Sequence, residues 1–508
     1  MSEQHVKYQL LRINLSNYQS RLEEIPFESY LELFGGKGIG SKLLFDELKP
    51  KVDPLGPSNK MIFVTGPLSG TLFPTSNRYG VLFKSPLTGG YAECYSGGRL
   101  AERMIAAGVQ VVVIEGTAKT PVYLEITEKS AKFHDAASLW GKDTIQTYEA
   151  LQMDTRKDAD MVCIGPAGEN LVKIACLQNS KWHSAGRCGP GAVMGSKKLK
   201  AIIFSGKEKS SLNQNPEFKA LVQKILAKLR SQPDVYGKDG FYRQFGTPII
   251  ADWANELGCF PTRYFTAGYD PYAEKINAHA MKDQIFRKHA GCWNCPFTCG
   301  KFVEVTEGDY KCAVEGPEYE TIALIGGVCD IRDIGAVAML NEFCDRMGID
   351  TISAGSLAGF MIEAKRRGLI PGAETLSIDY DNPKGVLEFF KLLVQKEGLG
   401  TDFAQGSRYV AEKYGLESLV MHVKGLDFAG YDPRCFRGFT LSYGVSPEGP
   451  THLRSVFHGI ERNMPNRLEY ENKAAPMLAE EDRMAIIDSL IVCKFVREIG
   501  RASCRERV

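Results

Sequence analysis

The pattern of apolar residues changes near residue 209, and this change constrains the fold more than any other feature. Before it, short apolar runs such as Met61-Ile62-Phe63-Val64 and Val111-Val112-Val113-Ile114 end close to glycines, as buried strands followed by tight turns do. After a polar connector at 210–216, residues 218–229 have helical apolar spacing. The sequence therefore predicts an α+β protein with a strand-rich N-terminal domain followed by mostly helical domains.

A chain of 508 residues exceeds the roughly 250–300 residues of one folding unit, and we expect domains at 1–208, 209–417 and 418–508. The last is expected to be incomplete. Its tail, 497–508, carries four arginines and few apolar side chains, which is typical of a non-native end, although a short basic tail is the alternative. Helices are predicted at 36–48, 98–107, 142–151, 318–347, 354–367, 384–396 and 402–414.

Composition and charge limit the functional classes. With 62 Lys and Arg against 61 Asp and Glu, the net charge is +1, which argues against a nucleic-acid partner. No apolar run approaches the roughly 18 residues that a membrane span needs. Residues 1–7 lack the apolar stretch of a signal peptide. The sequence predicts a soluble, cytoplasmic protein without a membrane span.

The cysteines at 292–299 form the sharpest local pattern. Cys292, Cys295 and Cys299 lie within eight residues, and Pro296 helps the backbone curl around one centre. Thiolates are soft ligands that suit zinc or iron–sulfur. A fourth ligand is not nearby, except for Cys312, and a remote fourth ligand favours a cubane cluster. Zinc, or structural and free thiols, remain alternatives.

Two glycine loops are candidates for binding phosphate. Ser96-Gly97-Gly98 and Gly186-Arg187-Cys188-Gly189 could bring backbone N–H groups and an arginine up to a phosphate-bearing cofactor. Tight turns and helix caps are the alternative. The segments at 35–40 and 191–197 do not match the dinucleotide-binding or P-loop patterns.

Carboxylates and a histidine mark two further segments. Residues 315–321 place three carboxylates at a predicted helix start, where they would also complement the helix dipole. Residues 446–454 place His452 in a proline- and glycine-bounded loop, where a structural role is the alternative. In addition, residues 345–350 and 488–493 each begin with Asp, have an aliphatic residue fifth, and end in a potential ligand or acceptor.

These segments together resemble the tungsten-containing aldehyde:ferredoxin oxidoreductases, in that family's order from about residue 7 to 493. The quoted motifs are joined by Gly66-Pro67-Leu68-Ser69-Gly70-Thr71, Lys84-Ser85-Pro86-Leu87-Thr88-Gly89, Leu139-Trp140-Gly141-Lys142-Asp143-Thr144, Ile164-Gly165-Pro166-Ala167-Gly168-Glu169-Asn170, Met194-Gly195-Ser196-Lys197-Lys198-Leu199-Lys200-Ala201-Ile202 and Tyr431-Asp432-Pro433-Arg434.

The resemblance implies the cofactors. Family members hold tungsten, sometimes molybdenum, through two pyranopterins on a base formed by the first domain, with a [4Fe–4S] cluster beside one pterin and Mg²⁺ between the pterin phosphates. By similarity, the cluster ligands are Cys292, Cys295, Cys299 and Cys493. The cofactor-binding residues that the motifs indicate are Arg78, Tyr95, Ser96, Gly97, Gly98, Ala185, Gly186, Arg187, Asp345, Ile349, Asp350, Asp488 and Val492. Arg78 would link cluster and pterin, and the carbonyls of Tyr95 and Ala185 would bind Mg²⁺.

The resemblance also implies a reaction. Glu320 and His452 match the acidic residue and the histidine near the tungsten. The family oxidises an aldehyde to a carboxylic acid and passes electrons through the cluster to ferredoxin or another electron-transfer subunit, and a homo-oligomer is possible. The alternatives are a reductase acting on aromatic thioesters, a non-catalytic electron-transfer subunit and a zinc-stabilised binding module. Cys188 and Ile491 replace family glycines, which puts two tight turns in doubt.

Overall fold

Two six-stranded sheets form the first part of the chain in the computed structural model, which describes residues 8–237 and 239–496. Their strand orders are β2-β1-β6-β3-β4-β5 and β11-β10-β9-β12-β7-β8. The strands are β1 (Tyr8–Asn14), β2 (Gln19–Ile25), β3 (Met61–Val64), β4 (Tyr79–Lys84), β5 (Tyr91–Ser96), β6 (Val111–Glu115), β7 (Val122–Thr127), β8 (Ser130–Asp135), β9 (Ala159–Cys163), β10 (Leu177–Asn179), β11 (His183–Ala185) and β12 (Leu199–Ser205). The helices here are α1 (Phe27–Leu33), α2 (Gly36–Glu47), α3 (Leu100–Ala106), α4 (Thr144–Ala150), α5 (Pro166–Glu169) and α6 (Pro190–Ser196).

The predicted strands follow from burial on the sheet faces. β3 is buried at all four positions, between β4 and β6, because a continuous apolar run suits a strand covered on both faces. β7 instead alternates buried and half-buried residues, as a strand covered on one face does. The strand-rich first part is therefore confirmed.

The second part of the chain is mostly helical, as predicted. Its helices are α7 (Pro216–Arg230), α8 (Pro233–Tyr236), α9 (Phe241–Phe245), α10 (Ile250–Glu256), α11 (Ala278–Gln284), α12 (Tyr319–Thr321), α13 (Ile334–Met347), α14 (Thr351–Arg366), α15 (Pro383–Gln395), α16 (Gly400–Phe403), α17 (Ser407–Tyr414), α18 (Arg437–Val445), α19 (His458–Glu461) and α20 (Ala474–Leu490). The strands are β13 (Phe286–Ala290), β14 (Gly300–Val305), β15 (Cys312–Glu315), β16 (His422–Val423) and β17 (Leu426–Asp427).

One predicted helix, 318–347, is wrong as a single element. The chain forms α12, a π-helical segment (Ile322–Gly327), a turn, and then α13. Gly327 packs so closely that a Cβ would lie 2.5 Å from the Pro261 carbonyl oxygen. At Asp330 the backbone turns to φ 54°, and its carboxylate pairs with Arg263 at 2.7 Å. Tertiary contacts thus interrupt a segment whose apolar spacing alone predicts one helix.

The predicted helix at 402–414 is also two helices, α16 and α17. Gly406 lies between them with φ +95°, and a Cβ there would lie 2.3 Å from a Leu87 methyl carbon. Only glycine adopts this backbone at no steric cost. The chain therefore changes direction at Gly406, where it contacts Leu87, which follows β4 of the first sheet. The other predicted helices are confirmed within a few residues at each end. The predictions for residues 1–7 and for the tail 497–508 lie outside the described residues.

Backbone contacts between the two parts of the chain hold the α13–α14 junction in place. Ala175 forms an isolated bridge with Ile349, and the Asp350 N–H donates to the Ile174 carbonyl at 3.0 Å. A Cβ on Gly165 would lie 2.4 Å from the Met347 carbonyl oxygen. The first Asp-containing motif therefore lies directly on the strand-rich part.

Candidate active site

The four candidate cluster cysteines come from two separate segments. Cys292, Cys295 and Cys299 lie on the loop between β13 and β14, and Cys493 follows α20. Burial raises the pKa of the Cys295 thiol to about 12, and the charge of Cys493 acts in the same direction. Burial also raises the pKa of Cys299 well above its usual range, with Cys292 and Cys493 among the contributing charges. The rings of Phe297, in the cysteine loop, and Phe495, two residues after Cys493, lie 5.9 Å apart, so the segment after α20 packs against the cysteine loop.

Basic side chains face these thiols. Arg78 Nη1 lies 4.0 Å from Cys493 Sγ, and its Nη2 donates to the Tyr95 carbonyl at 2.8 Å. His183 Nε2 lies 3.5 Å from Cys292 Sγ. Burial opposes ionisation of the Cys292 thiol, but His183, a backbone hydrogen bond from Gly98 and Arg78 together lower its pKa. Soft thiols beside cationic groups suit an iron–sulfur cluster, whose ligands are thiolates.

No group of three or more His, Cys, Asp or Glu side chains within 8–237 and 239–496 is arranged to hold one metal ion.

The loop Ser96-Gly97-Gly98 lies against the cysteine loop. A Cβ on Gly97 would lie 2.6 Å from Cys292 Sγ. The Gly98 carbonyl accepts a hydrogen bond from the Trp293 N–H at 3.0 Å, and Gly98 has φ +89°. Glycine is needed at both positions because a side chain would displace the cysteine loop or strain the turn.

The two Asp-initiated motifs have the same backbone geometry. Gly348 follows α13 in the left-handed conformation (φ 72°, ψ 49°), and Ile491 follows α20 with φ 51° and ψ 51°. The N–H of Ile349 donates back to a carbonyl of α13 at 3.0 Å, and that of Val492 to a carbonyl of α20 at 3.2 Å. Both are glycine-type helix C-caps. The turn is therefore kept without its glycine.

We predict that Ile491→Gly destabilises the protein although it restores the family residue. Removing left-handed strain gains about 1–2 kcal/mol. However, Ile491 is 1% exposed, and deleting a buried side chain of this size costs about 2–5 kcal/mol. The thermal unfolding midpoint of Ile491→Gly should therefore fall. Gly348→Ala, at the equivalent turn, is measured for comparison, and its midpoint should also fall because the added Cβ would lie 2.9 Å from a backbone nitrogen. A raised midpoint for Ile491→Gly would show that strain outweighs packing.

The first acidic residues of the two motifs are buried and have partners. Asp345 accepts hydrogen bonds from Gln178 Nε2 and Asn341 Nδ2, each at 2.8 Å. Burial raises the pKa of Asp345 to about 8. Asp488 pairs with the ammonium of Lys494. Two buried carboxyl groups near similar turns are suitable hydrogen-bond partners for the amine groups of a pterin ring.

Arg187 joins the strand-rich part to the loop that carries the candidate histidine. Its Nη1 donates to the Pro450 carbonyl at 2.7 Å, and its Nη2 donates to the Asp427 carbonyl. Its Nε lies 3.8 Å from Asp350, whose carboxylate caps α14. Arg187 therefore fixes the backbone two residues before His452.

The segment around Arg187 keeps its turn without the family glycine. Cys188 adopts φ 70°, and its carbonyl accepts a hydrogen bond from Ser85 Oγ at 2.8 Å. Ala185 is buried on β11, which packs beside β5 and therefore beside the strand that carries Tyr95. A Cβ on Gly186 would lie 3.6 Å from Asp350 Oδ1.

Glu320 and His452, which are 132 residues apart in sequence, lie side by side. Glu320 Oε1 is 3.2 Å from His452 Nδ1, and their side chains are 16% and 18% exposed. Glu320 Oε2 accepts the Gly430 N–H at 2.7 Å. Burial raises the pKa of Glu320 to about 7. Glu320 is the second residue of α12 and lies just before the π-helical segment Ile322–Gly327. Such π-helical distortions are frequent at functional sites.

Buried ion pairs fix the loop of His452. Arg454 lies 2.5 Å from Glu93 on β5 and 2.5 Å from Glu448. Lys37 on α2 lies 3.0 Å from the same Glu93 carboxylate. Because breaking a buried pair leaves an uncompensated charge, these contacts hold the histidine loop against the first sheet.

Sequence reasoning missed an aromatic wall around the pair. The Tyr431 ring is 5.1 Å from that of Tyr319, 6.0 Å from His452 and 4.3 Å from His458. His452 and the segments that contain Tyr319 and Tyr431 were singled out from the sequence, but the packing of these rings against one another was not predicted, and His458 was missed. Nothing in the local sequence distinguishes such residues from ordinary core aromatics.

Two family models match nearly the whole chain. One, described as the aldehyde ferredoxin oxidoreductase N-terminal domain, matches residues 10–206. The other, described as domains 2 and 3 of aldehyde ferredoxin oxidoreductase, matches residues 220–507. The chain belongs to the aldehyde ferredoxin oxidoreductase family. It is therefore an oxidoreductase, and the resemblance read from its motifs is confirmed.

Curated relatives agree with this aldehyde ferredoxin oxidoreductase assignment, and a solved structure shares the fold. The tungsten-containing aldehyde ferredoxin oxidoreductase of Pyrococcus furiosus is 34% identical over 495 residues, which are 96% of this chain and 81% of the relative. The aliphatic sulfonate oxidoreductase WOR-like subunit of the same organism is 27% identical, with 97% and 79% covered. The active-site complex of a benzoyl coenzyme A reductase with 1,5-dienoyl-CoA shares the fold, at TM-score 0.80 and 21% identity, over 96% of this chain and 82% of that chain.

The predicted α+β architecture is thereby confirmed for this aldehyde ferredoxin oxidoreductase family member. In the part of the chain that the structure describes, none of the helices is both long and apolar enough to cross a bilayer.

Proposed function

We propose that this protein oxidises an aldehyde to a carboxylic acid at a tungsten bis-pyranopterin centre and passes the electrons through a [4Fe–4S] cluster to ferredoxin. The overall change is aldehyde plus water to carboxylic acid, two protons and two electrons. The 3.2 Å contact between Glu320 and His452 carries the proposal, because a proton acceptor and a donor lie together beside the motifs that match the cofactor sites.

The residues present fit the cofactors. Asp345 and Asp488 would bind the two pterins, with Ile349, Asp350 and Val492 in the adjoining turns. Cys292, Cys295, Cys299 and Cys493 would hold the cluster, and Arg78, which faces both Cys493 and the Tyr95 carbonyl, would join cluster and pterin. The carbonyls of Tyr95 and Ala185 would take Mg²⁺. When bound, the tungsten centre supplies the two-electron redox step.

The side chains of the site would handle the protons. The Glu320 carboxylate is oriented by the Gly430 N–H, and its other oxygen faces His452. In ionised form it can accept a proton from water that attacks the carbonyl carbon. A protonated His452 can donate to the carbonyl oxygen. Tyr319, Tyr431 and His458 of the aromatic wall are buried, and this low-polarity surrounding would strengthen both interactions.

We expect an acid limb near pH 7 in the profile of kcat/KM. Burial raises the Glu320 pKa to about 7, so the carboxyl stays protonated below that pH and cannot accept a proton. Activity should fall about tenfold per pH unit below the limb. Glu320→Gln should abolish the limb along with most of the activity. A limb at the usual carboxyl value, near pH 4–5, would show that burial does not raise the pKa of the base. A limb that persists in Glu320→Gln would show that Glu320 is not the base.

The proposed function is tested by metal analysis and assays on anaerobically purified protein. We expect tungsten or molybdenum together with iron, and reduction of an artificial acceptor by aldehydes. Substrate-dependent oxidation of a reduced viologen by an aromatic thioester, without aldehyde oxidation, would favour the reductase alternative. Zinc without tungsten, molybdenum or iron would contradict the proposal.

A further inference from the structure

The phenol of Tyr443 has no assigned role in the site described so far. Tyr443 lies on α18 and is 1% exposed. Its ring stacks on Phe428 at 5.6 Å between centroids and packs on Phe439 at 4.5 Å. Within the described residues, its hydroxyl oxygen is buried and has no hydrogen-bond partner.

A buried hydroxyl without a partner is costly. Leaving it unsatisfied costs about 1–3 kcal/mol, whereas phenylalanine would fill the same apolar contacts with Phe428 and Phe439 without that cost. The packing of the ring therefore does not account for the hydroxyl. A group that enters the site from outside the chain would satisfy it.

The surroundings indicate where that group lies. The Tyr443 ring stacks on Phe428, and residues close to Phe428 in sequence contact the site. The Gly430 N–H donates to Glu320 Oε2 at 2.7 Å, and the Asp427 carbonyl accepts a hydrogen bond from Arg187 Nη2. Burial raises the pKa of this phenol well above its usual range, so it stays protonated and can donate. The Glu320 oxygens themselves face Gly430 and His452. The phenol is thus a spare donor packed against the segment that positions Glu320.

We propose that the Tyr443 hydroxyl binds the carbonyl oxygen of the substrate and stabilises the negative charge that develops on it. This inference rests on the proposed function. As the water oxygen bonds to the carbonyl carbon, the C=O π electrons move to the carbonyl oxygen and the water proton passes to Glu320. The phenol hydrogen bond to that oxygen strengthens as its charge grows. Donors directed at developing charge act mainly on the transition state.

The test compares the wild-type holoenzyme with Tyr443→Phe and with Tyr30→Phe. Tyr30 is also a buried tyrosine, 4% exposed, but it lies on α1 against Tyr8 and outside the site. We expect Tyr443→Phe to lower kcat/KM for aldehydes by roughly 10- to 100-fold, mostly through kcat. Its tungsten and iron contents should not change, and its unfolding midpoint should be equal or higher because an unsatisfied group is removed. Tyr30→Phe should retain wild-type kinetics.

The kinetics and the unfolding midpoint of Tyr443→Phe together test the proposed role of the Tyr443 hydroxyl. Unchanged kinetics in Tyr443→Phe, with an active wild-type enzyme, would overturn the inference and leave the proposed function intact. A lowered midpoint with unchanged kinetics would show a structural hydroxyl. A wild-type holoenzyme that does not oxidise aldehydes would overturn both proposals.

Discussion

Replacement of Cys295 by serine is expected to remove most of the iron from the anaerobically purified protein, which should otherwise contain about four irons per chain if one cubane is bound. Serine lacks the soft sulfur that the cluster iron prefers. Cys295 lies between the other loop cysteines in sequence, and burial together with the charge of Cys493 raises the pKa of its thiol. Its replacement would leave the cluster with three of its four cysteine ligands. Iron content and the visible absorption of the cluster measure the effect.

Cys312→Ser is the matched control. Cys312 is also buried, at 7% exposed, but it lies on β15, paired with Val305. After burial, the next influence on its pKa is Glu342 rather than another cysteine. This variant should keep its iron. One zinc per chain with no iron in the wild-type protein would reject the cluster assignment.

His452→Ala is expected to lower turnover by roughly 10²–10⁴-fold, the usual contribution of a positioned acid or base. His452 faces Glu320 at 3.2 Å, and no other histidine lies so close to that carboxylate among the described contacts. Steady-state kcat should fall while tungsten and iron contents stay constant. His134→Ala is the control, since His134 lies on β8, stacked on Tyr123.

The double variant Glu320→Gln/His452→Ala tests whether the pair acts as one unit. Groups in direct contact give non-additive effects, so the double variant should be little worse than the poorer single variant. Turnover that is unchanged in His452→Ala would remove this residue from the mechanism. Fully additive losses would show that the two residues act in separate steps.

The parts of the fold that sequence could predict are those set by local pattern. The buried run at 61–64 is the strand β3, because four apolar residues bounded by turn residues have few other solutions. Both Asp-containing motifs could be paired from their sequences, and Gly348 marked one helix end. The convergence of Glu320 with His452 came only from the family resemblance, because no local pattern encodes a contact between distant segments.

The features of the fold and of the site that the sequence did not predict depend on tertiary contacts. Ile491 and Cys188 occupy left-handed backbone that their residue types disfavour, and packing together with hydrogen bonds to the adjoining backbone keeps them there. The interruption of 318–347 arises from the approach of Gly327 to Pro261, which apolar spacing does not reveal. Nothing in the sequence separates Tyr443 from an ordinary core aromatic, and its partnerless hydroxyl becomes informative only through the packing of its ring against the segment that holds Glu320.

The placement of Cys493 after α20, far along the chain from the other three cysteines, has a consequence for stability. If all four bind one cluster, the iron acts as a cross-link that closes a loop of about 190 residues, and a disulfide closing such a loop is worth on the order of 5 kcal/mol of chain entropy. The same cross-link secures the turn at Ile491 and the Asp488 carboxyl against the first sheet region. Loss of the cluster should therefore loosen the adjoining segment 488–493 as well.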